Sequence, residues 1–212
     1  MSEKTNKMIT IVLALLITVA ALTIIYVNLP QENDNDTTDN TPSKNNDQNN
    51  TQNEEKILTV TYENEKTNYT LEELEELESF TASGSYVKTK LLPDTVVING
   101  PWNFTGVKIT TILDEFSNLP ENYNITVTSS DGWTSTYTYN QTQGNVNFYE
   151  TDGNLTEDAS ATMILAYKEE GEYLTVGDDE PGPLRIAFIG SKPITESNLW
   201  SNKVVSIEIT EV

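Results

Sequence analysis

A β-rich α+β domain, preceded by an apolar anchor and a polar tether, is the fold class this sequence predicts. Three observations carry that prediction. Residues 125–139 (ITVTSSDGWTSTYTY) alternate with period two on both sides of Asp131-Gly132. Two late segments, 184–189 (LRIAFI) and 204–209 (VVSIEI), are apolar and rich in β-branched residues. Helical periodicity, by contrast, is confined to two short stretches.

In the 125–139 segment, Ile125 and Val127 share one parity, and Trp133, Tyr137 and Tyr139 share a parity on the return strand. Thr126, Thr128, Thr134, Thr136 and Thr138 take the alternate positions. One face is therefore apolar and aromatic and the other hydroxyl-rich, as in a strand pair with one side on a core. Asp131-Gly132 favours a two-residue type I′ turn, in which both central residues need positive φ.

Toward the N-terminus, residues 9–27 (ITIVLALLITVAALTIIYV) carry no charge. As a helix rising about 1.5 Å per residue they span about 28 Å, close to the roughly 30 Å hydrocarbon core. Lys4 and Lys7 precede the run, and no Lys or Arg follows until Lys44. Charge bias thus predicts residues 1–8 in the cytoplasm, 9–29 as a single-pass anchor, and the remainder outside the cell membrane. A cleaved secretory signal is the competing reading, although its apolar part is usually only about 7–15 residues. Residues 30–55 form an Asn/Asp/Thr-rich linker, and 31–55 contain no aliphatic or aromatic residue, so they cannot bury apolar surface to offset chain entropy. The expected ectodomain is 56–212.

Within it, 57–62 (ILTVTY) alternates as a strand, and Thr70-Leu71-Glu72-Glu73 spells a capping box opening a short helix with Leu71, Leu74 and Leu77 on one side. The acids Glu72, Glu75, Glu76 and Glu78 are its solvated sides. Residues 95–98 (TVVI) read as a strand ended by Asn99-Gly100-Pro101. Ile109, Ile112, Leu113 and Phe116 recur at helical spacing. Residues 163–174 (MILAYKEEGEYL) read as a hairpin turning near Gly171.

The formal net charge is −21, which opposes nucleic acid and anionic headgroups as partners. With neither Cys nor His, the chain has no disulfides and builds no Ser-His-Asp, Cys-His, thiolate or imidazole-metal site. Ser85-x-x-Lys88 and Ser130-Asp131-Gly132 come near the motifs of penicillin-recognising enzymes, but no Lys-Thr-Gly follows. Asp152, Asn154, Thr156 and Asp158 alternate like the first ligands of a calcium loop, yet Glu157 and Met163 stand where glycine and glutamate belong. A weak calcium site and a plain polar turn are both readings of that loop. The acidic loop at 178–181 reads as solvated. Asn-x-Thr sequons occur at Asn35, Asn49, Asn68, Asn103, Asn124, Asn140 and Asn154, glycan acceptors if the chain faces outward.

Taken in order, TLEELEEL (70–77), PWNFTGVKITTIL (101–113), VTSSDGWTSTYTY (127–139), MILAYKEEGEYL (163–174), GPLRIAFIG (182–190) and the closing WSNKVVSIEI (200–209) form a recognisable set. Together they resemble the oxidoreductase molybdopterin-binding domain of the sulfite-oxidase superfamily, particularly the short membrane-anchored versions of methanogenic archaea. The resemblance implies a β-rich α+β fold around a cofactor-sized pocket. It also implies molybdenum held by a pterin dithiolene and one cysteine thiolate, located between the early helix and the tryptophan–glycine–valine segment. The matching interval, 79–100, contains no cysteine, and the hydroxyls of Ser83 or Ser85 do not replace a soft thiolate.

Arg185, Ser130, Asp131, Trp102 and Trp133 are the candidate pocket residues, with Tyr137 and Trp200 as further aromatics. Arg185 would anchor an anion there. Alternatively the aromatics are core and Arg185 pairs with a carboxylate such as Asp131. No catalytic or metal residue is assigned. The leading expectation is an extracytoplasmic domain without molybdenum redox activity, binding a small ligand or an envelope protein. The alternatives are an oxidoreductase holding molybdopterin without cysteine, and a structural, glycosylated surface module.

Overall fold

Strand β1 (Leu58–Tyr62) shows how the chain sorts itself: Leu58, Val60 and Tyr62 are buried, and Thr59 and Thr61 face outward. It turns into β2 (Glu65–Tyr69), where Thr59 Oγ1 donates to Asn68 Oδ1 at 2.8 Å across the pair. The structure is a computed structural model that describes residues 55–88, 96–177, 179–180 and 182–212. The predicted anchor, the tether up to residue 54, Thr95 of the predicted strand, and Asp178 and Pro181 of the acidic loop lie outside the described residues. Among the described residues no helix is long and apolar enough to cross a membrane.

Helix α1 (Leu71–Glu76) starts on the predicted capping box. Thr70 Oγ1 accepts from the Glu73 amide at 3.1 Å, and Glu73 Oε2 accepts from the Thr70 amide at 2.7 Å. Such a cap stabilises a helix by about 1 kcal/mol, and Leu74 fastens this one to the core. The glutamates are less idle than predicted, since Glu75 accepts from Lys168 Nζ at 3.1 Å and from the Tyr173 hydroxyl at 2.9 Å.

Strands β3 (Ser79–Lys88) and β4 (Val97–Lys108) form a long antiparallel pair. Contrary to the sequence prediction, Asn99-Gly100-Pro101 does not end β4. Tyr86 still pairs with Asn99, and Gly84 with Trp102, with a register shift between the two. Gly100, at φ 101, and Pro101, which has no amide proton to offer, occupy that bulge. Helix α2 (Ile109–Leu113) follows and buries Ile109, Ile112 and Leu113, with Phe116 just beyond it.

Strands β5 (Tyr123–Ser129) and β6 (Thr134–Thr138) are the predicted hairpin, with Ile125 opposite Tyr137 and Val127 opposite Ser135. Its turn differs from the prediction. Only Gly132 has positive φ, at 86, and Ser129 N donates to the Trp133 carbonyl, so the loop is Ser130-Asp131-Gly132. Three-residue loops of this kind need a single left-handed residue, which glycine supplies. A helical turn α3 (Tyr139–Thr142) continues from β6, capped by Thr138 and Gln141.

The chain then makes a small hairpin, β7 (Phe148–Tyr149) with β8 (Leu155–Thr156), followed by β9 (Ser160–Glu169) and β10 (Glu172–Tyr173). Glu170 and Gly171, at φ 51 and 86, give β9–β10 the two-residue turn with both residues left-handed. Strands β11 (Arg185–Ser191), β12 (Ile194–Glu196) and β13 (Val204–Glu211) complete the domain, with a 3-10 turn at Ser197–Leu199.

One sheet has five strands in the order β2-β1-β13-β5-β6, with β13 parallel to β1. Its outer face carries Thr59, Thr61, Thr126, Thr128, Thr134, Thr136 and Ser206, in cross-strand register. In the other sheet β4 pairs with both β3 and β9, and β11 pairs with both β9 and β3, so four strands close on themselves. A closed ring leaves those four strands no free edge between them. Gly106 lets β4 approach β9, because a Cβ there would meet the Leu165 carbonyl and Ala166. Val60, Ile125 and Ile207 of the open sheet share one continuous core with Phe104, Ile164, Leu165, Ile186 and Phe188 of the ring.

Candidate functional site

Arg185 opens β11, paired opposite Ala166 of β9, and this register carries its side chain inward. Its side chain is 8% exposed, and Nη1 donates to Glu169 Oε2 at 3.2 Å. The guanidinium carbon lies 5.1 Å from the Phe104 ring centre and 5.2 Å from that of Trp200. Burial pulls the Arg185 pKa down, while Glu169 and then Tyr86 act in the opposite direction. A guanidinium stays charged even so, which makes this a buried cation with one carboxylate partner and two aromatic faces. Its Nε is buried without a hydrogen-bond acceptor.

The aromatic rings around it form a stack. Trp200 packs against Phe104 at 5.4 Å and Tyr86 at 5.3 Å, and Tyr86 reaches Trp102 at 5.9 Å. Trp200 Nε1 donates to Thr195 Oγ1 at 2.8 Å, so the indole's polar edge is satisfied inside the protein. Gly84 makes room for the indole, since a Cβ there would lie 2.9 Å from Trp200 Cη2. Arg185 and Trp102 therefore belong to one filled cluster. The carboxylate on Arg185 is Glu169 and not Asp131, because the β9–β11 register brings the end of β9 beside the start of β11.

The other three candidates lie elsewhere. Trp133 keeps the predicted parity but stands just before the start of β6, at the turn, and is 69% exposed. Its Nε1 donates to Ser135 Oγ at 3.3 Å. Tyr139 likewise leaves the sheet at α3 and packs its ring edge-on against Tyr123 at 5.2 Å. Tyr137 is core: its hydroxyl meets Ser201 Oγ at 2.8 Å and donates to the Leu199 carbonyl at 3.1 Å, and burial pushes its pKa up to about 12.

Ser130 and Asp131 line an open groove of about 1130 Å³. Its walls are the start of β1 (Ile57, Leu58), the β5–β6 turn, Val176, Pro183, and Lys203 and Val205 at the start of β13. Apolar atoms make most of the surface, with three hydroxyls, two carboxylates and two ammonium groups around it, the mixture expected where a small molecule or a peptide is held. Ser130 N donates to the Lys203 carbonyl at 2.8 Å, and Gly182 N to the Thr175 carbonyl at 2.8 Å, so backbone bonds fix two walls. Residues around Arg185 that the sequence reading did not single out are Glu169, Tyr86 and Phe104. No local motif marks them; only the strand register brings them together.

The calcium-like loop is a turn held by its own side chains. Asp152 Oδ1 accepts from the Asn154 amide at 3.0 Å and Asp152 Oδ2 from Asn154 Nδ2 at 2.8 Å, while Thr156 Oγ1 accepts from the Asp158 amide. Among the described residues no group of three acidic side chains is placed to hold a metal ion. Ser85 and Lys88 lie on strand β3, not at a helix start, so the serine–lysine arrangement does not form.

No family profile matches the chain, and no curated protein matches it. Among solved structures it is similar to the sulfane dehydrogenase SoxCD from Paracoccus pantotrophus, with a TM-score of 0.52 and 17% identity. The match covers 73% of this chain and 38% of that one, so the chain spans well under half the length of its structural neighbour. At that identity the likeness shows a shared fold. The residues present do not fit a molybdenum–dithiolene centre: the chain has no thiolate donor, and its one arginine is already bonded to Glu169.

Proposed function

We propose that residues 56–212 are an outward-facing domain with the molybdopterin-binding fold that does not perform molybdenum redox chemistry, held at the cell membrane by residues 9–29. In this reading the domain binds a small ligand or an envelope protein in the groove bounded by Ser130, Asp131, Val176, Pro183 and Val205. The fold likeness to the sulfane dehydrogenase SoxCD supports the scaffold. The observation that carries the rest is the internal use of Arg185, whose charge is balanced by Glu169 and whose faces are covered by Phe104 and Trp200. A cation so placed is unavailable to a pterin phosphate without breaking a buried pair. The rim of the groove carries both signs, Glu55 and Asp131 beside Lys56 and Lys203, so its charge selects neither an anion nor a cation.

Metal analysis of the full chain, purified in detergent from a host that makes molybdopterin, tests the first half. Molybdenum and tungsten should be far below stoichiometric, and an equimolar amount of either would overturn the reading. Native mass spectrometry of the same preparation tests the second half. A bound mass lost on Asp131→Arg and Val205→Arg supports the groove, whereas a mass retained by both variants refutes it.

A further inference from the structure

The sequons divide sharply once the strands are in place. We propose that Asn154 is the one described position at which the folded domain accepts an N-linked glycan, an inference that rests on the outward-facing reading above. Asn68, Asn103, Asn124 and Asn140 also have side chains at or near the surface, but the residues that must enter a transferase with them do not. Tyr69, Phe104 and Ile125, the middle residues of three sequons, are buried. Thr70 is buried as the cap of α1, and Thr142 is buried with its hydroxyl donating to the Tyr139 carbonyl at 2.7 Å. Asn124 lies in β5, between β13 and β6, so presenting it means opening the five-stranded sheet.

Asn154 differs at every point. It sits in the turn of the β7–β8 hairpin after Gly153, with Leu155 66% exposed and Thr156 half-buried. That hairpin is a separate two-stranded sheet with two paired positions, Phe148 with Thr156 and Tyr149 with Leu155. Lifting three residues from it disturbs no strand of the main sheets. A local opening of this size is among the cheapest a protein makes. The buried sequons wait on opening of the core, whose populated fraction in ordinary proteins is roughly 10⁻³ or less, and their modification slows by the same factor.

The chemistry asks only for an exposed carboxamide and the threonine hydroxyl two residues on. Nδ2 of Asn154 bonds to the anomeric carbon of a sugar carried on a lipid phosphate. The anomeric carbon–oxygen bond breaks, the lipid phosphate leaves with its electron pair, and Nδ2 gives one proton to a base on the transferase. Asn154 Nδ2 now donates one hydrogen to Asp152, so its second is free of that bond.

The folded full chain, in detergent, is incubated with a single-subunit Asn-directed oligosaccharyltransferase and lipid-linked oligosaccharide, and glycopeptides are mapped by mass spectrometry. Between residues 55 and 212, Asn154 should fill first, by roughly a thousandfold in rate over the other four. Synthetic peptides spanning the five sequons should lose that ranking. Asn154→Gln and Thr156→Val should each abolish the signal without loss of fold. Comparable rates at Asn68, Asn103, Asn124 or Asn140 in the folded chain, or a blank Asn154, overturn the proposal. Orientation is read separately. The chain has no cysteine, so Ser43→Cys labelled on intact cells by a membrane-impermeant maleimide reports the side on which the tether lies. Absence of label sinks the outward-facing reading and leaves the order of site reactivity standing.

Discussion

Replacing Glu169 by Gln should unfold this domain more easily than replacing Arg185 by Met, although both substitutions break the same pair. The guanidinium is 8% exposed and its carboxylate partner 28% exposed. Glu169→Gln leaves a cation that cannot lose its proton inside the protein. Removing one member of a buried pair costs about 3–5 kcal/mol, and the partial exposure of this one argues for the lower end, about 3 kcal/mol. Arg185→Met leaves Glu169, which can turn to water. Its cost is the contact with the rings of Phe104 and Trp200, about 1–2 kcal/mol for a desolvated pair. With a urea slope of about 2 kcal/mol/M, the midpoint should fall by about 1.5 M for Glu169→Gln and by less than about 1 M for Arg185→Met. The double variant should recover much of the loss, because the stranded charge is gone. Urea unfolding followed by tryptophan fluorescence reads all three. If Glu169→Gln is neutral, the guanidinium has another partner, and its assignment to internal structure is wrong.

Other perturbations test other parts of the fold. Tyr137 is held neutral by burial, with a pKa raised from 10.0 to about 12. Its share of the stability is full below pH 10.0 and is lost as the pH rises toward about 12. Tyr137→Phe should flatten that alkaline limb and cost about 1 kcal/mol at neutral pH, read from thermal melts across the alkaline range. Glu73 is shifted the other way, below its ordinary 4.5, first by the hydrogen bond from Lys56 and then by the Thr70 amide. That contribution is present above pH 4.5 and fades as the pH falls through the lowered folded value. Glu73→Gln keeps the capping geometry, so a reduced acid dependence with little change in helix content is the expected result. Gly106→Ala should destabilise by about 1–3 kcal/mol or more, since its methyl group would run into β9. A variant as stable as the parent would mean that β4 and β9 do not approach as described.

Short-range chemistry was legible in the sequence. Thr70 and Glu73 announce α1 because a cap needs only two side chains and two amides. Ile109, Ile112 and Leu113 announce α2 because its apolar stripe meets a core on one side only, although the helix stops at Leu113 and the spacing ran on to Phe116. The β5–β6 pairing was readable from parity, yet parity does not say where a strand begins, and so Trp133 was expected inside. Thr138 and Gln141 spell a second capping box that the alternating pattern overlapped and hid. What the sequence could not show was set by pairing between distant strands. Glu169 meets Arg185 only because β9 and β11 align as they do, and β4 runs through Gly100-Pro101 only because a bulge absorbs both. The expected ligand residues split for the same reason: Arg185 and Trp102 joined the filled cluster, while Ser130 and Asp131 reached the open groove.

The place of β13 between β1 and β5 has a consequence for how the chain comes to be folded at all. Its parallel partner in the sheet, β1, is synthesised about 147 residues earlier (Thr59 pairs with Ser206), so the β2-β1 and β5-β6 halves of that layer cannot be joined until synthesis is almost finished. Such late closure favours slow assembly. Until β13 arrives, that layer consists of two separate hairpins, β1-β2 and β5-β6, each with an unpaired edge toward the missing strand.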